Sequence, residues 1–251
     1  MLSASVMGWI LVVLAVDADG SLTTQRLLGV ATWVLLIALL RRESVAVRVQ
    51  TAIVVIFATA VEYTFSPLLE VYVYRFDNVP AYVPPGHGLV YLAAWGIGRS
   101  DLVRRHLRAC VAAVVVAGGA YAAWGLLWAP RPDVLGAIWF GCLLGFLAWG
   151  PSRPLYVGAF VVVTYLEILG TALGTWTWHS HDPTGWIPIG NPPSGAAGGY
   201  GWFDLVALLL TPYVLAAWRR WRPSEPDVGG VAGERADRDG RARALDADPT
   251  S

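Results

Sequence analysis

The chain has 251 residues, of which 56% are hydrophobic and 14% charged, and its mean hydropathy is +0.53. A water-soluble domain carries roughly 25% charged residues, so the composition excludes an ordinary soluble fold and points to a membrane protein. Formal net charge is zero, all 18 basic residues are Arg, and no nucleic-acid partner is expected.

A helix needs about 20 apolar residues to cross a bilayer core. Eight runs qualify as candidate spans: residues 3–16, 23–40, 49–74, 83–98, 109–128, 134–149, 155–178 and 202–218. The first, fourth and sixth are short, so seven spans is the alternative count. The run Val6 to Val16 lacks the basic flank of a signal peptide. Asp17 and Asp19 follow where small residues would mark cleavage, so a first span is expected instead. Arg clusters alternate between the joints. Arg41, Arg42, Arg48, Arg99, Arg104, Arg105, Arg108, Arg153, Arg219, Arg220 and Arg222 fall on one side, against Arg26, Arg75 and Arg131 on the other. By the positive-inside rule both termini are cytoplasmic and the proline-rich loops 75–86 and 179–201 face outwards.

The fold class expected is all-α, a polytopic helix bundle with an internal parallel duplication of a four-helix unit. Residues 1–108 form the first repeat, 109–222 the second and 223–251 a disordered cytoplasmic tail poor in large apolar residues. The repeat shows at Glu62, followed by Tyr72-x-Tyr74, Val79-Pro80 and Pro84-Pro85-Gly86. It recurs at Glu167, followed by Trp176-x-Trp178, Ile187-Pro188 and Pro192-Pro193. The glutamates are 105 residues apart and the proline pairs 108.

Ionisable groups inside a bilayer are costly and are functional candidates by default. Glu62 and Glu167 are the leading catalytic candidates, because a buried carboxyl must be neutralised or paired and can then give and recover a proton. Helical spacing would place Glu62, Ser66, Glu70 and Tyr74 on one polar stripe, and Glu167, Thr171 and Thr175 on its counterpart. Glu70 and Asp204 are the further acids considered, Asp204 with an equally good reading as a helix-head partner. Backbone self-bonding of the Ser and Thr side chains is the plainer account of the stripes. Tyr72, Tyr74, Trp176 and Trp178 could shelter a cation on their ring faces or simply anchor the interface. Asn78, Asn191 and Thr171 complete the candidate substrate contacts. His179, His181, Asp182 and His87 share an outer surface and could bind a metal ion, but their spacing is no strong signature and plain hydrogen bonding is the simpler account; Cys110 and Cys142 point to neither zinc nor a disulfide, and no metal or cofactor is expected.

A membrane Glu, glycines through the next turns, an aromatic-x-aromatic pair and a proline-containing loop resemble the bacterial carotenoid hydratase family. Here the pattern is carried by Glu167, Gly170, Gly174, Trp176, Trp178, Ile187 and Pro188, and more loosely by Glu62, Tyr72, Tyr74, Val79 and Pro80. The resemblance covers about a third of the chain and implies addition of water to an isoprenoid double bond without a cofactor. The layout is also similar to the small integral membrane terpene cyclases, with Glu62 and Asp204 at the places of their early and late acids. The Pro-x-Glu-Glu signature of the duplicated lycopene cyclases is absent.

The expectation is therefore a membrane enzyme acting on a lipid-soluble isoprenoid or polyene by hydration, cyclisation or isomerisation, surrounded by membrane lipids. A proton-coupled transporter and a non-catalytic membrane subunit are the alternatives. Substrate identity and oligomeric state are not legible in the residues.

Overall fold

The computed structural model describes residues 2–221; the expected tail, 223–251, lies outside them. Helices occupy all eight expected places: α1 Leu2–Ala18, α2 Leu22–Leu40, α3 Val45–Tyr63, α4 Val83–Gly98, α6 Leu107–Leu127, α7 Val134–Trp149, α8 Arg153–Ala172 and α9 Ala196–Trp221. A short α5, Asp101–Arg105, precedes α6. The architecture is all-α. Met1–Leu215 form one unit, and the end of α9 from Ala216 belongs to a second.

Five helices, Leu22–Leu40, Val45–Leu68 (α3 with the turn after it), Leu107–Leu127, Arg153–Ala172 and Ala196–Arg220, are long and apolar enough to cross a membrane. That is the mark of a multi-pass membrane protein, with fewer full-length spans than the eight runs counted in the sequence. α1 and α7 are apolar but have 17 and 16 residues. α4, also 16 residues, is the central helix: it packs on α8, α3, α1 and α2, and is buried without a break from His87 to Ala94. Gly158 of α8 makes that approach possible, because a Cβ there would meet the Ala94 carbonyl.

Two runs expected as uninterrupted helix are broken. Residues 49–74 were expected to be one helix, but α3 ends at Tyr63 and loosens into a π turn, Thr64–Leu68, around Pro67. Proline has no N–H for the helical ladder, so the turn widens there. Glu70, at φ 50°, then reverses the chain into β1, Tyr72–Tyr74. Residues 155–178 end similarly. Gly174, at φ 68°, closes α8, with the Thr175 N–H donating to the Gly170 carbonyl at 3.0 Å and the Gly174 N–H to the Thr171 carbonyl at 3.2 Å. This is a Schellman cap, which favours glycine at the left-handed position. β2, Trp176–Trp178, follows.

The two strands pair antiparallel, Tyr72 opposite Trp178, Val73 opposite Thr177 and Tyr74 opposite Trp176. The post-glutamate segments of the two halves thus meet as one ribbon. The last helix also differs from expectation: it starts at Ala196, six residues early, because Gly198 and Gly199 let it lie on Trp139 of α7.

Buried acids hold the loops beside the ribbon. Asp133, the α7 N-cap, accepts from the backbone N–H of Gly136 (2.9 Å), Gly190 (2.8 Å) and Ser194 (2.6 Å). In the first half, buried Asp17 accepts from Tyr82 Oη at 2.8 Å and Gln25 Nε2 at 3.2 Å. Arg75 donates to the Asp17 and Gly20 carbonyls. At the opposite ends of the helices, Arg48 caps α2 through the Leu40 carbonyl at 2.8 Å, and Arg99 pairs with Glu43.

Candidate functional site

Glu62 and Glu167 both line one cavity of about 450 Å³. That is within the usual size range of small-molecule pockets, about 300–1,000 Å³. Its walls are mainly aromatic and aliphatic, with Trp9, Phe57, Phe65, Trp139, Tyr200 and Phe203 among them. α1, α2, α3, α4, α7, α8, α9 and both strands contribute side chains.

Each glutamate is held by the aromatic pair that follows it in sequence. Glu62 Oε2 accepts from the hydroxyls of Tyr72 and Tyr74, both at 2.8 Å. Glu167 Oε2 accepts from the indole N–H groups of Trp176 and Trp178, both at 3.1 Å. Alternation along a strand puts residues two apart on one face, which is why an aromatic-x-aromatic segment can deliver two donors to one oxygen. Burial, reinforced by the charge of Glu62, holds the hydroxyls of Tyr72 and Tyr74 well above the ordinary tyrosine value, so they stay donors.

The remaining oxygens differ. Glu62 Oε1 lies 2.8 Å from His87 Nε2. Among the described residues Glu167 Oε1 meets only the hydroxyl of Tyr200, at 3.4 Å. His87 stacks on Tyr200 with centroids 5.2 Å apart and meets Phe203 edge-on at 5.4 Å. Trp178 lies 4.5 Å from Tyr72 and 5.7 Å from Trp139 between ring centroids, so the donor pairs are themselves packed into the wall. Gly170 leaves room for this: a Cβ on it would collide with the Trp176 indole.

The other expected site residues lie elsewhere. Glu70 is exposed at the chain reversal and does not line the cavity, because α3 has already ended. Tyr74 reaches Glu62 from a strand, not along a helical stripe. Thr171 bonds back to the Glu167 carbonyl at 2.8 Å, and Thr175 to the Gly170 carbonyl at 2.9 Å, the plainer of the two readings. Asn78 donates to Gln25 Oε1 at 2.8 Å and Asn191 Oδ1 accepts from the Trp178 backbone N–H at 3.0 Å, so both brace the loops. Asp204 is buried but lines a separate, small cavity behind Tyr200 and Phe203.

Sequence reasoning considered His87 only as a metal ligand and did not single out the side chains of Tyr200 and Trp139. A His two residues after a proline pair reads as loop; the signal available was the Pro-Pro start of a helix, which puts His87 one turn inside α4. Among the described residues no group of three or more His, Cys, Asp or Glu side chains comes together, and His179 and His181 are exposed.

The arrangement can hold and move protons. One carboxyl sits between two phenols and an imidazole, the other between two indoles with one oxygen barely engaged. No family model, no curated protein and no solved structure matches this chain.

Proposed function

We propose that the chain is an integral membrane enzyme performing acid–base chemistry on a lipid-soluble isoprenoid or polyene, through hydration, cyclisation or isomerisation. The observation that carries this reading is two buried glutamate carboxyls, Glu62 and Glu167, on the wall of one largely apolar, aromatic cavity that Asp182 also borders. Aromatic rings attract cations through their negative faces, which suits a substrate that becomes a carbocation. The hydratase resemblance implies the same chemistry. The Arg distribution supports a topology with both termini in the cytoplasm, and with it a cavity opening towards the outer side.

Glu167 is the acid. Its Oε2 is occupied by two indole donors, so its proton sits on Oε1, the oxygen with only a long contact. That proton adds to one alkene carbon and leaves a cation on the other. In hydration, water attacks the cation and Glu62, backed by His87, takes the surplus proton. In cyclisation or isomerisation Glu62 takes a proton from a carbon beside the cation. Environments that separate two carboxyl groups into an acid and a base are a recurring catalytic device.

The test is lipid extraction and mass spectrometry of cells making prenyl lipids and carotenoids and expressing wild type, Glu62→Gln or Glu167→Gln. The expected result is a product one water heavier, or an isomer of equal mass, reduced about 100- to 10,000-fold in both variants. An unchanged profile with all three proteins inserted would overturn the enzyme reading. It would favour proton-coupled uptake on the same glutamates.

A further inference from the structure

Two buried polar groups have no place in the site as described. His87 is 5% exposed, its Nε2 faces Glu62, and its Nδ1 is buried without a hydrogen-bond partner among the described residues. Asp204 is also 5% exposed, and its carboxyl makes no hydrogen bond with another described residue. A buried ring nitrogen left without a partner is costly, so such atoms normally meet protein or ordered water.

Both line the same small cavity, of about 10 Å³, whose other polar wall residues are Tyr91 and Tyr200. A space of roughly 10–15 Å³ holds the centre of one water, provided two to four polar groups surround it. His87, Tyr200 and Phe203 line this cavity and the large one alike, so His87 stands in the partition between them. Tyr91 extends the polar chain, its hydroxyl donating to Gln50 Oε1 at 2.8 Å.

We infer that the small cavity is a water site linking Asp204 to His87 Nδ1, so that Glu62, His87, the water and Asp204 form one proton relay. The inference rests on the large cavity being a site of proton chemistry. In the relay the Asp204 carboxyl gives its proton to the water oxygen, and the water gives one of its own to His87 Nδ1. The products are an Asp204 carboxylate and an imidazolium held against Glu62. The reverse transfer drains a proton that Glu62 has collected. Asp204 is thus the remote store of the relay and does not touch substrate.

The experiment uses full-length protein in lipid bilayers with ¹⁵N-labelled histidine rings, free of substrate, read by magic-angle-spinning NMR. Only four histidines are present, and His87 is assigned as the signal lost in His87→Asn. Wild type is expected to give a hydrogen-bonded Nδ1 with a cross-peak to water protons. Asp204→Asn is expected to move that resonance. Val54→Ile, which adds a methyl group to a wall residue of the small cavity and leaves both polar groups intact, is expected to remove the water cross-peak. An Nδ1 with no water contact in wild type, or one unchanged in both variants, would overturn the relay. Because no substrate is involved, this result is independent of whether any product forms in the extraction experiment.

Discussion

Asp133→Asn is the sharpest test of how the site is held, because Asp133 touches neither glutamate. Its two oxygens accept three backbone N–H groups, Gly136 and Gly190 on Oδ1 and Ser194 on Oδ2. An asparagine keeps one acceptor oxygen and turns an NH₂ towards at least one N–H. A hydrogen bond to a charged group is lost, about 1.5–3 kcal/mol, and a buried N–H is left unpaired, about 1–3 kcal/mol. Together they come to about 2.5–6 kcal/mol, a large part of the stability of a typical domain. The damage should reach the site, since the loop from Gly190 to Ser194 carries Asn191, which holds the β2 backbone at Trp178. Ser194→Ala is the control: the Ser194 hydroxyl has no hydrogen-bond partner among the described residues, so its removal should stay within about 1 kcal/mol of wild type. Denaturant unfolding in detergent, followed by tryptophan emission, measures both. If Asp133→Asn is no more destabilised than Ser194→Ala, the idea that this acid locks the loop is refuted.

Gly170→Ala forces a methyl group into the space of the Trp176 indole; overpacking of about 1–3 kcal/mol and a changed near-UV tryptophan signal are expected, and an unperturbed spectrum would contradict the packing. Tyr72→Phe and Tyr74→Phe each remove a donor from Glu62 Oε2 and should cost about 1.5–3 kcal/mol. Because both bind one oxygen, a double-mutant cycle should show coupling above about 0.5 kcal/mol, and additivity would argue against a shared acceptor. The hydroxyl of Thr184 and the N–H groups of Ile187, Thr184 and Trp186 hold the Asp182 carboxyl below the ordinary aspartate value. A depressed folded value means that the turn is supported above the unfolded value, about 3.9, and loses that support as pH falls through the lower folded value. The Trp186 emission, isolated by difference from Trp186→Phe, should therefore hold steady from neutrality to about pH 4 and change only below it. An Asp182-dependent change already complete at about pH 5 would refute the assignment.

The two glutamates were legible because an acid in an apolar run has few innocent explanations, and their donors were legible as an aromatic pair after each. What was not legible was the backbone between them. Tyr-Val-Tyr and Trp-Thr-Trp are as apolar as the helices they follow, and a short apolar segment does not distinguish strand from buried helix. Expecting helix through Tyr74 put Glu70 on a stripe that does not exist. The glycines before Trp202 hid the true start of α9, so Asp204 was expected at a helix head when it lies more than two turns inside. Asp17 and Asp133 read as ordinary polar joints; only the fold brings Arg75, Tyr82, Gly190 and Ser194 to them. Such long-range pairings leave no trace in local spacing.

The antiparallel ribbon sets the two donor pairs opposite one another, with Tyr72 facing Trp178 and Tyr74 facing Trp176. The two pairs differ in what they can do with a proton. A phenol hydroxyl donates and also accepts, whereas an indole N–H only donates. Partners of Glu62 can receive a proton and pass it on, and one of them is an imidazole with a free nitrogen. The Trp176 and Trp178 partners of Glu167 cannot, so a proton on Glu167 can leave only from the oxygen that they do not hold. On the proposed reading, tyrosine donors on one carboxyl and tryptophan donors on the other make the first a base and the second an acid. It follows that Trp178→Tyr should erode the distinction: it keeps an aromatic donor beside Glu167 but offers its proton a second path. A variant that keeps full turnover with Glu62→Gln added would show that the two halves had become interchangeable. Continued dependence on Glu62 would place the asymmetry in His87 and not in the strand donors.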